Sequence, residues 1–169
     1  GQVYIFYSDG HLASAATSAD VVIVGAATGE CFGRSLASGD WNADGRIDLA
    51  VGAVLAIDKG RAYVFWNDGS FPIIASAADA VITGPSSNSA FGAALASGDF
   101  NADGKTDLVV SASQSYDASP IGMAYIFYNG SIVTETTAGA DITITGNAIG
   151  DQFGTSLASG DWNADGKTD

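Results

Sequence analysis

The apolar residues of the chain fall into short runs that are rich in aromatic and β-branched side chains. Three of these runs are closely similar, namely "VYIFY" from Val3, "AYVFW" from Ala62 and "AYIFY" from Ala124. The polar triplets "SDG", "NDG" and "NGS" follow them, and no segment keeps a helical period of apolar residues. Gly and Asn tolerate the positive φ of tight turns. The pattern therefore predicts an all-β chain of short strands joined by tight hairpins.

Four landmarks recur in a fixed order along the chain. They are the aromatic run, a run beginning with Ala-Asp ("ADVVIVG", "ADAVITG" and "ADITITG"), a Phe-Gly pair and an acidic loop. The Phe-Gly pair begins at Phe32, Phe91 and Phe153, which are 59 and 62 positions apart. The three additional residues of the longer interval lie in residues 111–122, where we expect an exposed hairpin loop. This regular period indicates a repeat architecture.

Each repeat contains four predicted strands. In the first complete repeat they are "FGRSLASGD", "DLAVGA", "RAYVFW" and "DAVITG", and the small residues of the first suit a crowded inner position. Four-stranded antiparallel sheets repeated around an axis are the blades of a β-propeller, whereas β-solenoids use shorter periods. We therefore predict one repeat-built domain, with a partial blade at 1–25, full repeats at 26–84 and 85–146, and a partial repeat at 147–169.

The predicted strands number eleven, in the order two, four, four and one. Since closed propellers usually have about four to eight blades, we expect either a segment of a larger propeller or blades completed by another molecule. The sequence opens at Gly1 without a signal peptide, which indicates a processed N-terminus or an excised part of a longer chain.

The charge balance restricts the partners of the chain. It has 19 acidic and 6 basic residues, a formal net charge of −13 and a hydrophobic content of 47%. This composition favours an ordered globular protein and argues against nucleic acid or anionic membrane as a partner. No apolar run is long enough to span a bilayer. The single cysteine, Cys31, is replaced by Ala90 and Gln152 in the other repeats, so we expect a partly buried, inert thiol.

The acidic loops place oxygen-bearing residues at alternating positions. If Asp40 is position one, side-chain oxygens follow at positions three, five and nine, Gly45 permits the sharp turn at six, and a backbone carbonyl is available at seven. Such hard oxygen ligands suit Ca²⁺. We predict three Ca²⁺ ions, one in each loop. The predicted ligands are Asp40, Asn42, Asp44, Arg46 and Asp48; Asp99, Asn101, Asp103, Lys105 and Asp107; and Asp161, Asn163, Asp165, Lys167 and Asp169, with Arg46, Lys105 and Lys167 acting through their carbonyls.

Two helical types of Ca²⁺ loop begin with the same acidic pattern, and neither fits. An EF-hand requires Glu at position twelve and a following helix, but Val51 and Val110 stand there and the next residues are strand-like. The dockerin loop fails on the same missing helix. Ordinary turn chemistry would explain a single Asp-Asn-Asp-Gly segment. Three copies with identical acidic spacing favour metal binding, and without cations their nine acids would repel one another.

The Phe-Gly pair, the acidic loop and the "VGA" that follows it resemble the FG-GAP repeats of integrin alpha-chain propellers and their bacterial relatives. The resemblance covers essentially the whole chain and implies propeller blades with structural Ca²⁺ in the hairpin between the first and second strands. The Gly-Ala-Pro part of the motif is incomplete, since it reads "GAV" from Gly52 and "SAS" from Ser111. The family ordinarily closes seven blades, which this chain alone does not supply.

The remaining conspicuous residues have structural interpretations. Trp41, Phe100 and Trp162 share position two of their loops, and we expect apolar plugs against the neighbouring blade more than sugar-stacking platforms. Trp66 is expected in blade packing. His11, the one histidine, has no repeated partner, and no catalytic set recurs, so we predict that the chain is not an enzyme. Asn129-Gly130-Ser131 is an N-glycosylation sequon on a predicted turn, although such short motifs also match by chance.

These observations favour a calcium-stabilised, non-enzymatic, extracellular module for adhesion or structural scaffolding, secreted or at a cell surface, with protein or glycan partners. Two alternatives stay open. One is a subunit that assembles into rings or filaments by completing blades between molecules. The other is a lectin-like domain or the accessory domain of a carbohydrate-active enzyme.

Overall fold

The computed structural model describes residues 1–8, 15–113, 121–132 and 136–169 of the chain. These residues form ten strands and four single-turn 3-10 helices. The strands are β1 (Gln2–Ile5), β2 (Val21–Val24), β3 (Phe32–Gly39), β4 (Asp48–Ala53), β5 (Arg61–Phe65), β6 (Ala80–Thr83), β7 (Phe91–Gly98), β8 (Asp107–Ala112), β9 (Met123–Phe127) and β10 (Ile142–Thr145). The 3-10 turns are Ala16–Ser18, Ala56–Asp58, Ala75–Ala77 and Thr137–Gly139.

The strands form three antiparallel sheets. One sheet has the order β3-β4-β5-β6, a second runs β7-β8-β9-β10, and β1 pairs with β2. Each four-stranded sheet is a simple meander, because every strand pairs with its sequence neighbour. The predicted all-β fold with antiparallel four-stranded blades is confirmed. The division at residues 25, 84 and 146 stays a prediction.

The Phe-Gly pair forms a bulge at the start of each inner strand. The β3–β4 register shifts between Phe32 and Leu36, and the β7–β8 register shifts at the equivalent place. Gly92 has φ 84°, and a Cβ added there would lie 2.5 Å from the Arg61 carbonyl oxygen. Gly52 lies against the carbonyl of Gly92 in the next sheet. Glycine is therefore needed where the backbones of successive sheets approach most closely.

The sheets stack face to face, and the two faces of a sheet belong to different core clusters. One face of β4–β6 carries alanines together with Val64 and Ile82 and packs on the face of the next sheet that carries Leu108, Tyr125 and Phe127. The aromatic face of β4 and β5 packs in the same way on β1 and β2. This alternation follows from the two-residue period of a strand, which sends successive side chains to opposite faces.

The fourth strands β2 and β6 are each joined by a parallel bridge to a loop of the following repeat. Val24 at the end of β2 pairs with Ile74, and its N–H donates to the Ile73 carbonyl at 2.9 Å. Thr83 at the end of β6 pairs with Thr136 in the same way. The loop between the third and fourth strands therefore holds the preceding sheet as well as its own.

The prediction of an eleventh strand was wrong. Residues 153–159 form only an isolated bridge between Phe153 and Gly122. A strand requires a hydrogen-bonded partner along its length, and the described residues place no second strand beside this segment. The predicted variable loop is largely outside the described residues, at 114–120, as is His11 within 9–14. Within the described residues, no helix has the length and apolar character to cross a membrane.

Candidate metal centre

The three acidic loops occupy equivalent places at the ends of the inner strands. The first loop (residues 40–48) joins β3 to β4, and the second loop (residues 99–107) joins β7 to β8. The third loop (residues 161–169) follows the unpaired segment, and its ends are joined by the Asp169 N–H, which donates to the Gly160 carbonyl at 2.8 Å. All three predicted ligand sets are therefore presented on hairpin loops.

Side-chain oxygens of the first loop turn inward onto its own backbone. Asp40 accepts the N–H of Asp44 at 3.1 Å through one carboxylate oxygen and the N–H of Gly45 at 2.9 Å through the other. Asn42 also accepts the Asp44 N–H, and Asp44 accepts the Arg46 N–H. Ala43 and Gly45 have φ of 58° and 84°, which curl the chain around these groups. The arrangement gathers oxygen atoms at positions one, three and five.

The second and third loops repeat this pattern bond for bond. The four equivalent hydrogen bonds measure 2.8–3.0 Å in both loops. The second loop uses Asp99, Asn101 and Asp103, and the third uses Asp161, Asn163 and Asp165. The same sequence therefore produces the same loop in three places, whether or not the flanking strands are paired.

The aspartate at position nine connects the first and second loops to the next hairpin. Asp48 is buried, and its carboxylate accepts the Trp41 N–H at 3.0 Å and the Asn67 N–H at 2.8 Å. Asp107 makes the equivalent bonds to Phe100 and Asn129, both at 2.9 Å. Asp48 and Asp107 therefore hold their loops in place in addition to any part in ligation.

Burial is the main influence on the pKa of Asp48 and of Asp107. Burial raises the pKa of the Asp48 carboxyl above its ordinary value, and the two N–H groups that it accepts lower that pKa. The charges of Asp44 and Asp40 raise the pKa further. Asp107 has the same causes in the same order, with Asp103 and Asp99 as the nearby charges. A bound cation would offset this repulsion between carboxylates.

The donor chemistry of each loop fits a hard cation. Each loop offers carboxylate oxygens, an amide oxygen and a backbone carbonyl, which is the mixture that Ca²⁺ prefers. Within the part of the chain that the structure describes, no three His, Cys, Asp or Glu side chains converge closely enough to form a metal cluster. The inward-turned groups of each loop are two carboxylates and one amide, so the ligand sets, including the carbonyls of Arg46, Lys105 and Lys167, stay predictions.

The aromatic residues at position two differ in how deeply they are buried. Trp41 is 1% exposed, lies in the core between the two four-stranded sheets, and donates its indole N–H to the Asp107 carbonyl at 3.1 Å. Phe100 is partly buried, whereas Trp162 is 72% exposed. The expected plug against the neighbouring blade is confirmed for Trp41. Trp66 packs on the same core, as expected.

Sequence reasoning missed the roles of two asparagines. Asn67 and Asn129 both follow the aromatic third strand, and both donate their backbone N–H to the position-nine aspartate. The side-chain amide of Asn129 also donates to the Trp41 carbonyl at 2.5 Å, so the sequon asparagine is engaged between sheets. Recurrence at the same place in the repeat was the signal that could have identified them.

Sequence reasoning also missed the buried Glu30. The prediction of a partly buried thiol at Cys31 was wrong. Glu30 is 3% exposed and accepts the Tyr63 hydroxyl at 3.2 Å, while Arg61 donates to the same hydroxyl at 3.4 Å. Cys31 is exposed, whereas the neighbouring Phe32 is buried in the core. It borders an open cleft of about 330 Å³ together with Arg34 and Leu55.

Stacked four-stranded antiparallel sheets, each with an acidic hairpin loop after its inner strand, define blades of a β-propeller. Residues 40–110 match the family model described as "FG-GAP-like repeat". Integrin alpha-3 of Mus musculus is 38% identical over 118 residues, covering 65% of this chain and 10% of that protein. Integrin alpha-7 of Rattus norvegicus is 36% identical over 148 residues, covering 83% and 12%. Phosphatidylinositol-glycan-specific phospholipase D of Rattus norvegicus is 34% identical over 150 residues, covering 82% and 18%.

The chain belongs to the FG-GAP repeat family and is integrin alpha-like. It spans less than a fifth of the length of these relatives.

Proposed function

We propose that the chain is a calcium-stabilised, non-enzymatic propeller module that works outside the cell in adhesion or as a structural scaffold. The observation that carries the proposal is the threefold repetition of one inward-turned loop. Nine of the 19 acidic residues of the chain lie in the three loops. A fold that concentrates its negative charge in this way is stabilised when a divalent cation neutralises that charge.

In the proposed site of the first loop, Asp40, Asn42, Asp44 and Asp48 contribute side-chain oxygens and Arg46 contributes its carbonyl. The equivalent residues of the other loops do the same. The ion supplies charge neutralisation and a fixed meeting point for the loop oxygens. The protein supplies the curled backbone and the hydrogen bonds that hold Asp40 and Asp44 in place.

The adhesion role is supported by the integrin alpha-chains among the relatives, which also support protein partners and an extracellular or cell-surface location. The phospholipase D among the relatives carries the name of an enzyme, so family membership alone does not decide between binding and catalysis. The sequence offers no recurring catalytic set, and the charged groups that recur do so in the loops. We therefore assign this segment a binding or scaffolding role.

A glycan is the second candidate partner, and one cleft favours it. An open cleft of about 460 Å³ lies beside the first loop and is bordered by Trp66, Phe71, Asp68, Asp79 and Asn42. Aromatic faces with carboxylate and amide groups at their edges suit a sugar ring, which has apolar faces and peripheral hydroxyls. Binding on a glycan array that disappears with Trp66→Ala would support this candidate, and an array without signal would exclude it.

Calcium titration of the chelator-stripped chain tests the main proposal. Isothermal titration calorimetry should detect three sites, and replacement of Asp40 and Asp44 by Asn should remove one of them. Asp68→Asn is the matched control, since Asp68 is an exposed aspartate in a turn outside the acidic loops. Absence of binding, or equal loss in the control, would contradict the proposed metal site.

A further inference from the structure

The strand ends that enter the acidic loops are linked from sheet to sheet by serine hydroxyls. Ser97 donates its hydroxyl to the Ser38 carbonyl at 2.8 Å, and Ser159 donates to the Ser97 carbonyl at 2.7 Å. These serines occupy the same place in each repeat, two residues before position one. The three loops therefore begin from one continuous row of hydrogen bonds.

The strand ends before the first and second loops are each approached closely by a threonine of the next loop. A Cβ added at Gly39, just before the first loop, would lie 2.6 Å from the Thr106 methyl carbon of the second loop. Gly98, just before the second loop, lies in the same way against Thr168 of the third. The strand ends that enter the first and second loops therefore lie close to the following loop, and this approach repeats.

The first and second loops share a further set of hydrogen bonds. The Trp41 indole N–H donates to the Asp107 carbonyl at 3.1 Å, and the Asn129 amide donates to the Trp41 carbonyl at 2.5 Å. The Asn129 N–H in turn donates to the Asp107 carboxylate at 2.9 Å. Position two of the first loop and position nine of the second therefore belong to one buried hydrogen-bonded unit.

We propose that cation binding at the first and second loops is positively coupled through this Trp41–Asp107–Asn129 unit. The inference rests on the proposed calcium function of the same loops. Ligation at the second loop requires an ordered Asp107, and the same ordered Asp107 anchors Trp41 and with it the start of the first loop. The free-energy cost of ordering Asp107 is incurred once and benefits both loops, which is a source of positive cooperativity. The coupling is reciprocal, as linkage requires.

The second and third loops provide an internal comparison. Phe100 stands where Trp41 stands in the first loop, and its side chain has no N–H to donate. Trp162 is 72% exposed, and the structure gives its indole no hydrogen bond to another loop among the described residues. Coupling between the second and third loops is therefore weaker, and Trp162→Phe is a matched control for Trp41→Phe.

Amide-resolved NMR titration with Ca²⁺ on the full chain separates the loops, since Gly45 reports the first loop and Gly104 the second. In every sample, Asp161→Asn and Asp165→Asn inactivate the third loop. We expect the Kd at Gly45 to be at least about fivefold tighter with the second loop intact than with Asp99→Asn and Asp103→Asn. Trp41→Phe should bring the two values within twofold, whereas Trp162→Phe should leave the difference unchanged. Asn129→Ser should act like Trp41→Phe, and the spectra report whether each variant is folded.

The outcomes distinguish the coupling from the metal function. Equal Kd values at Gly45 in both backgrounds, or a weaker Kd when the second loop is intact, would overturn the coupling and leave calcium binding standing. A difference that survives both Trp41→Phe and Asn129→Ser would exclude this route. Absence of any calcium-dependent shift at Gly45 and Gly104 would overturn the proposed metal function itself.

Discussion

At the scale of single residues, the repeated motif residues meet steric and electrostatic requirements of the fold. The glycine of each Phe-Gly pair has positive φ and lies against the backbone of the preceding sheet or strand pair, while the phenylalanines at 32 and 91 are buried. The position-nine aspartates at 48 and 107 are buried acceptors of two N–H groups. The local sequence assigns these residues to turns or ligands and gives no indication of these contacts.

Gly92→Ala should destabilise the protein much more than Gly29→Ala. The two glycines have φ of 84° and 83°, so the conformational cost of a side chain, about 1–2 kcal/mol, is common to both. Gly29 faces open space, whereas a Cβ at Gly92 would lie 2.5 Å from the Arg61 carbonyl oxygen. Overpacking adds about 1–3 kcal/mol. Urea unfolding measures the difference, and equal costs would contradict the close approach.

Trp41→Ala and Trp162→Ala test the packing at position two. Loss of the buried Trp41 ring should lower the free energy of unfolding by about 3–5 kcal/mol. Loss of the exposed Trp162 ring should change it by no more than about 0.5 kcal/mol. Similar effects in urea unfolding would mean that position two is not a contact between sheets.

At the scale of elements, much of the architecture could be predicted from the repeat itself. The predicted "DLAVGA" strand coincides with β4, and the predicted first, third and fourth strands differ from the structure only at their ends. The failures have one physical origin, which is that pairing and packing depend on neighbours. Residues 153–159 have strand-like sequence, but among the described residues they form only the bridge from Phe153 to Gly122, and the exposure of Cys31 depends on what packs beside it. The links through Trp41 and Asn129 are likewise tertiary.

The aromatic third strands predict a pH dependence at the alkaline end. Burial raises the pKa of Tyr63 on β5 and of Tyr125 on β9 above their ordinary value of 10.0. The fold therefore disfavours the phenolate, so their contribution to stability is intact below pH 10 and is lost as the pH rises through the raised pKa.

Absorbance titration should find two tyrosines that ionise later than free tyrosine. Tyr63→Phe and Tyr125→Phe should each remove one late transition and flatten the loss of stability above pH 10. Normal titration of both phenols would contradict their burial.

At the scale of the whole molecule, the sheets form a directional stack. One face of a sheet packs on the opposite face of the next, and the loops follow one another along one side through the serines at 38, 97 and 159. The acidic loops of neighbouring blades are thus brought together by the same packing that builds the core. We propose that negative charge gathered in this way makes the stability of the stack depend on the cation concentration.

Thermal unfolding of the chain with millimolar Ca²⁺ and with excess chelator is the decisive experiment for calcium stabilisation. A ligand at about 100 times its Kd adds about 2.7 kcal/mol for each native site, and a domain of this size gains about 2–4 °C per kcal/mol. We therefore expect the Tm to rise by at least about 5 °C with Ca²⁺, and the rise to shrink when Asp40 and Asp44 are replaced by Asn. A Tm that is the same with Ca²⁺ and with chelator would contradict a structural role for the metal.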